Sequence, residues 1–304
     1  MNLPAYGRQI LCAGRVHSKK IRSLLEMDTT GLPGIALNLH QHFRCCLQMD
    51  SENWGPQWPH EVPPWIFSGP LYVRICFDAV EYPHSFYRIC GWAQLPDVIP
   101  ELISQASSLT NRSCDITIQP HLHERLGGAV AMVENELIIE AVDGNARALL
   151  REGQFNYRRI IHLPGEDVEE SQGQQTEALV WQDGTYRHLP AAPISWDAVA
   201  VLGNFSYEPF CIYEYCILKS GEPLFLEKKP IPKGSFTFKI LHGRRVFSVR
   251  EPAVEKNGTV YHEIPSLDLA SKMDNSRLHI FTKGGYLSHL SYFAAEKKIP
   301  MIFV

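Results

Sequence analysis

Long apolar runs are missing from this chain. No uninterrupted apolar stretch approaches the ~18 residues that a membrane-spanning helix needs, so no membrane partner is expected. Strong charge of either sign is also missing. Lys and Arg number 29 against 33 Asp and Glu, a net charge of −4, which leaves no global attraction to nucleic acid or anionic lipid. The eight cysteines (12, 45, 46, 76, 90, 114, 211 and 216) form no Cys-x-x-Cys pair and sit mainly in apolar stretches. That excludes the usual zinc and dithiol spacings and reads as reduced core thiols. The start lacks the charged segment and apolar run of a signal peptide, so the expected compartment is cytoplasmic. Internal repeats and low-complexity tracts are absent as well.

What is present is a chain of 304 residues, 45% of them hydrophobic, enough for a large core and, by length, for two domains. Helices are expected over residues 18–27, 39–47 and 95–108, the last from the apolar spacing of Val98, Ile99, Leu102 and Ile103. Strands are expected over 71–78, 115–119, 128–133 and 136–141, with a helical turn at 146–150. Residues 163–190 are polar and glycine-containing, the pattern of a long hairpin or surface loop. Two prolines and a glycine in Lys228-Lys-Pro-Ile-Pro-Lys-Gly234 mark a pause, which places a domain boundary at 232/233.

The last 23 residues carry the most specific chemistry. Residues 278–281 read as a buried strand, and Gly284-Gly285 permits a turn and a close approach to a ligand. Ser288 is placed to cap a helix that begins at His289. A helix start offers free N–H groups and the positive end of the peptide dipole, so an anion carried on His289 would be stabilised there. The helix ends before Ile299-Pro300, and residues 301–304 read as a second buried strand. An ordinary histidine beside a capping serine is the plainer reading of the same residues.

A second feature is a pair of acids in apolar strands, Glu214 in Cys-Ile-Tyr-Glu-Tyr-Cys and Glu227 in Pro-Leu-Phe-Leu-Glu-Lys-Lys-Pro. A turn at residues 219–222 would bring them together. Two facing carboxylates without a cation repel, and bound Mg²⁺ carrying ATP phosphates would resolve the conflict. The alternative is that one of the two faces solvent on an edge strand.

The segment Thr282, Gly284, Gly285, Ser288, His289, Ala294, Glu296, Ile299, Pro300 resembles the phosphohistidine signature of the dikinase family that includes phosphoenolpyruvate synthase, pyruvate phosphate dikinase and rifampin phosphotransferase. The earlier part is similar to the nucleotide-binding half of that family through Gly127-Gly-Ala-Val, Ile139-Glu-Ala-Val-Asp-Gly144 and Leu149-Leu-Arg-Glu-Gly153. The resemblance implies an α/β (α+β) ATP-grasp domain over residues 1–232 and a phosphohistidine swivelling domain, truncated at its C-terminus, over 233–304. It implies His289 as the catalytic residue, supported by Thr282, Gly284, Gly285 and Ser288. It further implies ATP contacts from Lys19, Arg74, Gln119, His121, Leu122 and Lys229, with Mg²⁺ on Glu214 and Glu227. There are departures. Ile75 and Cys76 stand where the family has two serines after the arginine, and Glu227-Lys-Lys229-Pro230 replaces Gln-x-Arg-Pro, losing the two-pronged grip of arginine.

The function so implied is ATP-dependent transfer of a phosphoryl group through His289 to an unidentified small-molecule acceptor, with AMP and phosphate as co-products. Two other classes remain open. One is a degenerate, non-catalytic relative that binds nucleotide or a protein partner. The other is an ATP-grasp ligase, which would use the acid pair and leave His289 without a role.

Overall fold

Apolar residues two apart over 71–75, and three or four apart over 95–103, separate strand from helix, and the structure follows both periods. A computed structural model describes residues 9–13, 19–41, 64–67, 69–77, 86–107, 114–164, 168–241, 243–250 and 258–304. The chain divides into two compact units, residues 1–122 with 224–227, and residues 123–223 with 228–304.

The first unit contains β1 (Gln9–Ala13), α1 (Lys19–Thr29), β2 (Ile35–Gln41), β3 (Leu71–Phe77), β4 (Phe86–Cys90), α2 (Leu95–Ser107) and β5 (Cys114–Pro120). Its strands form one sheet in the order β1-β2-β5-β3-β4, with β1 and β2 parallel and the other neighbours antiparallel. Leu71, Val73, Ile75, Ile116 and Ile118 are buried, and α2 buries Leu95, Ile99, Leu102 and Ile103. The helix expected over 39–47 is corrected in part: Leu39–Gln41 belong to β2, where pairing with β5 satisfies their backbone groups. The rest of that expected helix, from residue 42 on, lies outside the described residues.

The second unit contains β6 (Glu124–Val133), β7 (Glu136–Asp143), α3 (Arg147–Leu150), β8 (Tyr157–His162), β9 (Val168–Gln172), β10 (Glu177–Gln182), β11 (Thr185–Pro190), α4 (Trp196–Val199), β12 (Cys211–Leu218) and β13 (Pro223–Pro230), whose centre, 224–227, groups with the first unit. It continues with β14 (Phe236–Leu241), β15 (Arg244–Val249), β16 (Thr259–His262), β17 (Leu278–Phe281), α5 (His289–Lys297) and β18 (Met301–Phe303). One sheet runs β13-β12-β6-β7-β8-β9 and another β14-β15-β18-β17-β16. The polar stretch 163–190 resolves into β9 and the antiparallel hairpin β10–β11, which turns on Asp183-Gly184, both at positive φ.

Because β17 and β18 pair in parallel, the chain must cross over between them, and α5 is the crossover. The expected strand–helix–strand order therefore stands as a β–α–β unit with His289 at the start of its helix. One apolar core takes Ala129, Ile138 and Ile212 from before residue 232 and Phe236, Phe281, Leu287 and Leu290 from after it. The expected boundary at 232/233 falls inside this unit.

Candidate functional site

Glu214 sits in the middle of β12, a strand whose eight residues are all buried. Its partner on β6 is Ala129, and Tyr215 beside it faces Gly128. A strand covered on both faces leaves a carboxylate two options, to be neutralised or to be paired. Glu214 is paired. Lys229 on β13 places its ammonium against Oε1, and Nε2 of His289 lies 2.9 Å from the same oxygen. Lys229 Nζ is also 2.9 Å from His289 Nε2. The lysine side chain is 17% exposed and the imidazole 29%, so the cluster opens toward solvent on the histidine side.

The position of His289 follows from local sequence. Ser288 is extended and its hydroxyl accepts the Ser291 N–H, so the first turn of α5 is capped as expected. His289 is the first helical residue, and Nδ1 makes no hydrogen bond among the described residues. Nε2 stands between a donor, Lys229, and an acceptor, Glu214. It satisfies one at a time: as an acceptor its lone pair is occupied by the ammonium, and as a donor it has no lone pair to offer.

Gly284-Gly285 makes a close approach, but to protein. Glu140 on β7 is fully buried. Its Oε1 accepts from Arg158 Nε at 2.6 Å and from the Tyr286 N–H at 2.8 Å, and its Oε2 accepts from the Leu287 N–H at 2.9 Å. Arg158 Nη2 donates to the Gly284 carbonyl at 2.6 Å. A Cβ on Gly285 would lie 3.1 Å from Glu140 Oε2, and Gly284 has φ of +105°. The glycines thus let the turn close over a buried ion pair. Neither Glu140 nor Arg158 was singled out as a pair from sequence. The signal was there: an acid inside Leu137-Ile-Ile-Glu140-Ala-Val needs a buried cation, and Arg158 lies on the neighbouring strand opposite it.

The other expected residues are placed as follows. Thr282 is exposed and its N–H donates to the His262 carbonyl. In the first unit, Arg74 on β3 and Gln119 on β5 share a sheet face with Tyr72, since Gln119 is opposite Tyr72 and Arg74 is two residues along. Arg74 Nη2 donates to the Tyr72 hydroxyl at 3.3 Å. His121 and Leu122 are buried just beyond β5, where the His121 N–H donates to the Pro70 carbonyl at 2.8 Å. Lys19 is the first residue of α1, and its side chain lies outside the described residues. Glu227 is half-buried on β13. The structure therefore assembles Glu214, Lys229 and His289 in one unit and aligns Arg74 with Gln119 in the other.

Magnesium was expected on Glu214 and Glu227. Oε1 of Glu214 is in contact with an ammonium and an imidazole, so that oxygen does not fit the ion. Lys229 supplies the positive charge for which the metal was invoked. Among the described residues no group of three His, Cys, Asp or Glu side chains could hold a metal, and no helix is long and apolar enough to cross a membrane.

No family model matches this chain, and no curated protein does. Among solved structures it is similar to D-alanine–D-alanine ligase from Helicobacter pylori, at 10% identity over 71% of this chain and 54% of that one, with a TM-score of 0.35. It is also similar to D-alanyl-alanine synthetase A from Vibrio cholerae (13% identity, 70% and 55% covered, TM-score 0.33). A third is N5-carboxyaminoimidazole synthetase from Staphylococcus aureus (8% identity, 77% and 56% covered, TM-score 0.33). The matches span about half the length of those proteins, and likeness at this level decides neither fold nor chemistry.

Proposed function

We propose that the protein is an ATP-dependent enzyme of the ATP-grasp kind acting on a small molecule, with His289 as the residue that takes the phosphoryl group. The observation that carries this reading is the convergence of His289 and Lys229 on Glu214. A nucleophile, a cation and an orienting carboxylate within hydrogen-bond reach form the constellation that covalent phosphoryl transfer requires. In this reading the nucleotide contacts are Lys19, Arg74, Gln119, His121 and Leu122, and His289 carries the phosphoryl group. Incoming phosphate oxygens draw the Lys229 ammonium away from the ring, and an imidazole nitrogen is freed to attack. A nitrogen–phosphorus bond forms as a bridging phosphorus–oxygen bond breaks, the electron pair leaving on the nucleotide. Rigid placement and charge stabilisation then supply the rate.

A ligase that forms an acyl phosphate and joins it to an amine is the second reading. One observation favours it: the segment bearing His289 shares a core with the β12 sheet and its turn is latched by Glu140, so chemistry completed in place suits it better than a carrier that must leave.

One experiment separates these readings. The full chain is incubated with ATP labelled at the β-phosphate, and nucleotides and protein are analysed together. AMP with acid-labile label on the protein, lost in His289→Ala, is expected. ADP without labelled protein would transfer the assignment to the ligase, and no nucleotide cleavage at all would leave a binding protein.

A further inference from the structure

The second unit contains a cavity of about 210 Å³ that includes none of Glu214, Lys229 and His289. Its apolar wall comes from Phe155, Phe281, Tyr286 and Phe303, and its polar lining from the amides of Gln154, Gln172 and Gln174, the hydroxyls of Ser171 and Thr282, and two cations, Arg158 and Lys283. Among the described residues no Asp or Glu side chain lines it, and Ile264 and Val304 also form part of the lining. The volume is below the roughly 300–1,000 Å³ of pockets that take drug-sized ligands. It suits one ring and a small substituent, not a nucleotide.

Charge decides what the substituent should be. Arg158 is held rigidly, with its guanidinium 3.3 Å from the Tyr286 ring centroid and 4.0 Å from that of Phe155. Nε is taken by Glu140 and Nη2 by the Gly284 carbonyl, and Nη1 makes no hydrogen bond among the described residues. A buried guanidinium with one open prong at a cavity wall is a preorganised donor to an anion. Lys283 adds a second positive charge at the rim, where it pairs with Glu263 at 2.7 Å on an exposed surface, a contact of little cost to exchange. The amides and hydroxyls can complete the hydrogen bonds of a carboxylate, and Phe281 and Phe303 offer an apolar wall to a ring.

We propose that this cavity is a binding site for a small aromatic carboxylate, with the carboxylate on Arg158 Nη1 and the ring against the phenylalanines. The proposal stands apart from the ATP reading, since no residue of the Glu214 cluster takes part.

The test uses the intact chain, with benzoate as the probe and benzyl alcohol as its neutral counterpart, followed by calorimetric titration. Saturable benzoate binding at least about tenfold tighter than that of benzyl alcohol is expected. Substitution of Arg158 would also break the Glu140 pair, so two rim variants carry the argument. Ser171→Trp, on an exposed strand, fills the mouth and should abolish binding while leaving the circular dichroism spectrum unchanged, and Lys283→Gln should weaken it severalfold. Equal affinity for benzoate and benzyl alcohol, no saturable benzoate binding, or full binding by folded Ser171→Trp would each overturn the assignment.

Discussion

Nε2 of His289 lies 2.9 Å from Oε1 of Glu214, across 75 residues of sequence. The contact joins the first residue of a helix to the centre of a fully buried strand, and Lys229 reaches both partners. The geometry leaves Nδ1 as the ring nitrogen without a hydrogen bond, which turns the proposed chemistry into a question of which nitrogen carries phosphorus.

If His289 is phosphorylated, a proton on Nε2 donated to Glu214 leaves the lone pair on Nδ1, so the isomer formed should be the Nδ1 one, and Lys229→Met, which removes the competing donor at Nε2, should keep it. Phosphorus NMR of the denatured, labelled protein distinguishes the two. A shift toward Nε2 in the variant would show that Glu214 does not hold the Nε2 proton.

Glu140 and Arg158 form a buried pair that also holds two backbone N–H groups and a carbonyl of the glycine turn. Glu140→Ala strands a buried guanidinium and two donors, so a loss of about 3–5 kcal/mol is expected in urea unfolding. Glu140→Gln, which keeps the volume and one of the two acceptor oxygens, should lose less. Equal losses would mean that the charge of Glu140 is not what anchors the turn.

Gly285→Ala places a methyl group against Leu149 and 3.1 Å from Glu140 Oε2. Leu149 is fully buried, so it cannot swing clear, and a destabilisation of about 1–3 kcal/mol is expected. Gly221→Ala, where a Cβ would meet nothing within 4 Å but φ is +89°, separates backbone strain from crowding. The thermal shift of the first should exceed that of the second.

Glu124 hydrogen-bonds Asn145 at the edge of β6, and burial pushes its carboxyl up to about 7. A carboxyl whose folded value exceeds its unfolded one binds more protons when folded, so it contributes less stability as pH rises from about 4.5 to 7. Glu124→Gln should remove that decline and be more stable than the parent at pH 8 by on the order of 2 kcal/mol. Melting temperatures of both across pH 5–8 check the sign.

His262 and His279 stack with ring nitrogens 3.0 Å apart, and burial lowers both, with His279 lowering His262 further. Imidazoles depressed when folded bind fewer protons than when unfolded. Their stabilisation is therefore present above the ordinary histidine value and lost as pH falls below about 6.5. Asp274, whose carbonyl accepts from His279, limits the effect without reversing it. His279→Phe should lose less stability than the parent between pH 7 and pH 5 in the same melts.

Much of the local structure was legible from residue order. The strand–helix–strand reading of residues 278–304 and the Ser288 cap rest on capping chemistry and periodicity, which act within a few residues. The stripe over residues 95–103 is legible for the same reason. The segment 39–41 failed because its period fits a helix, whereas pairing with β5 is a nonlocal term that no window of sequence contains. Glu214 reads from sequence as an acid in need of a cation, and the fold places Lys229 against its Oε1. For Arg158 the fold supplies Glu140 on one side and a cavity on the other.

By itself, residue order determined which segments become strands and helices in the second unit, where the capped histidine starts, and that Glu214 and Glu140 could not stay buried alone. Those are consequences of backbone geometry and of the cost of desolvating charge. Which cation answers each carboxylate, and that residues on both sides of 232 pack into one core, were decided only by tertiary structure, because partners 15 to 75 residues apart meet through sheet register and packing, which neighbouring residues do not encode.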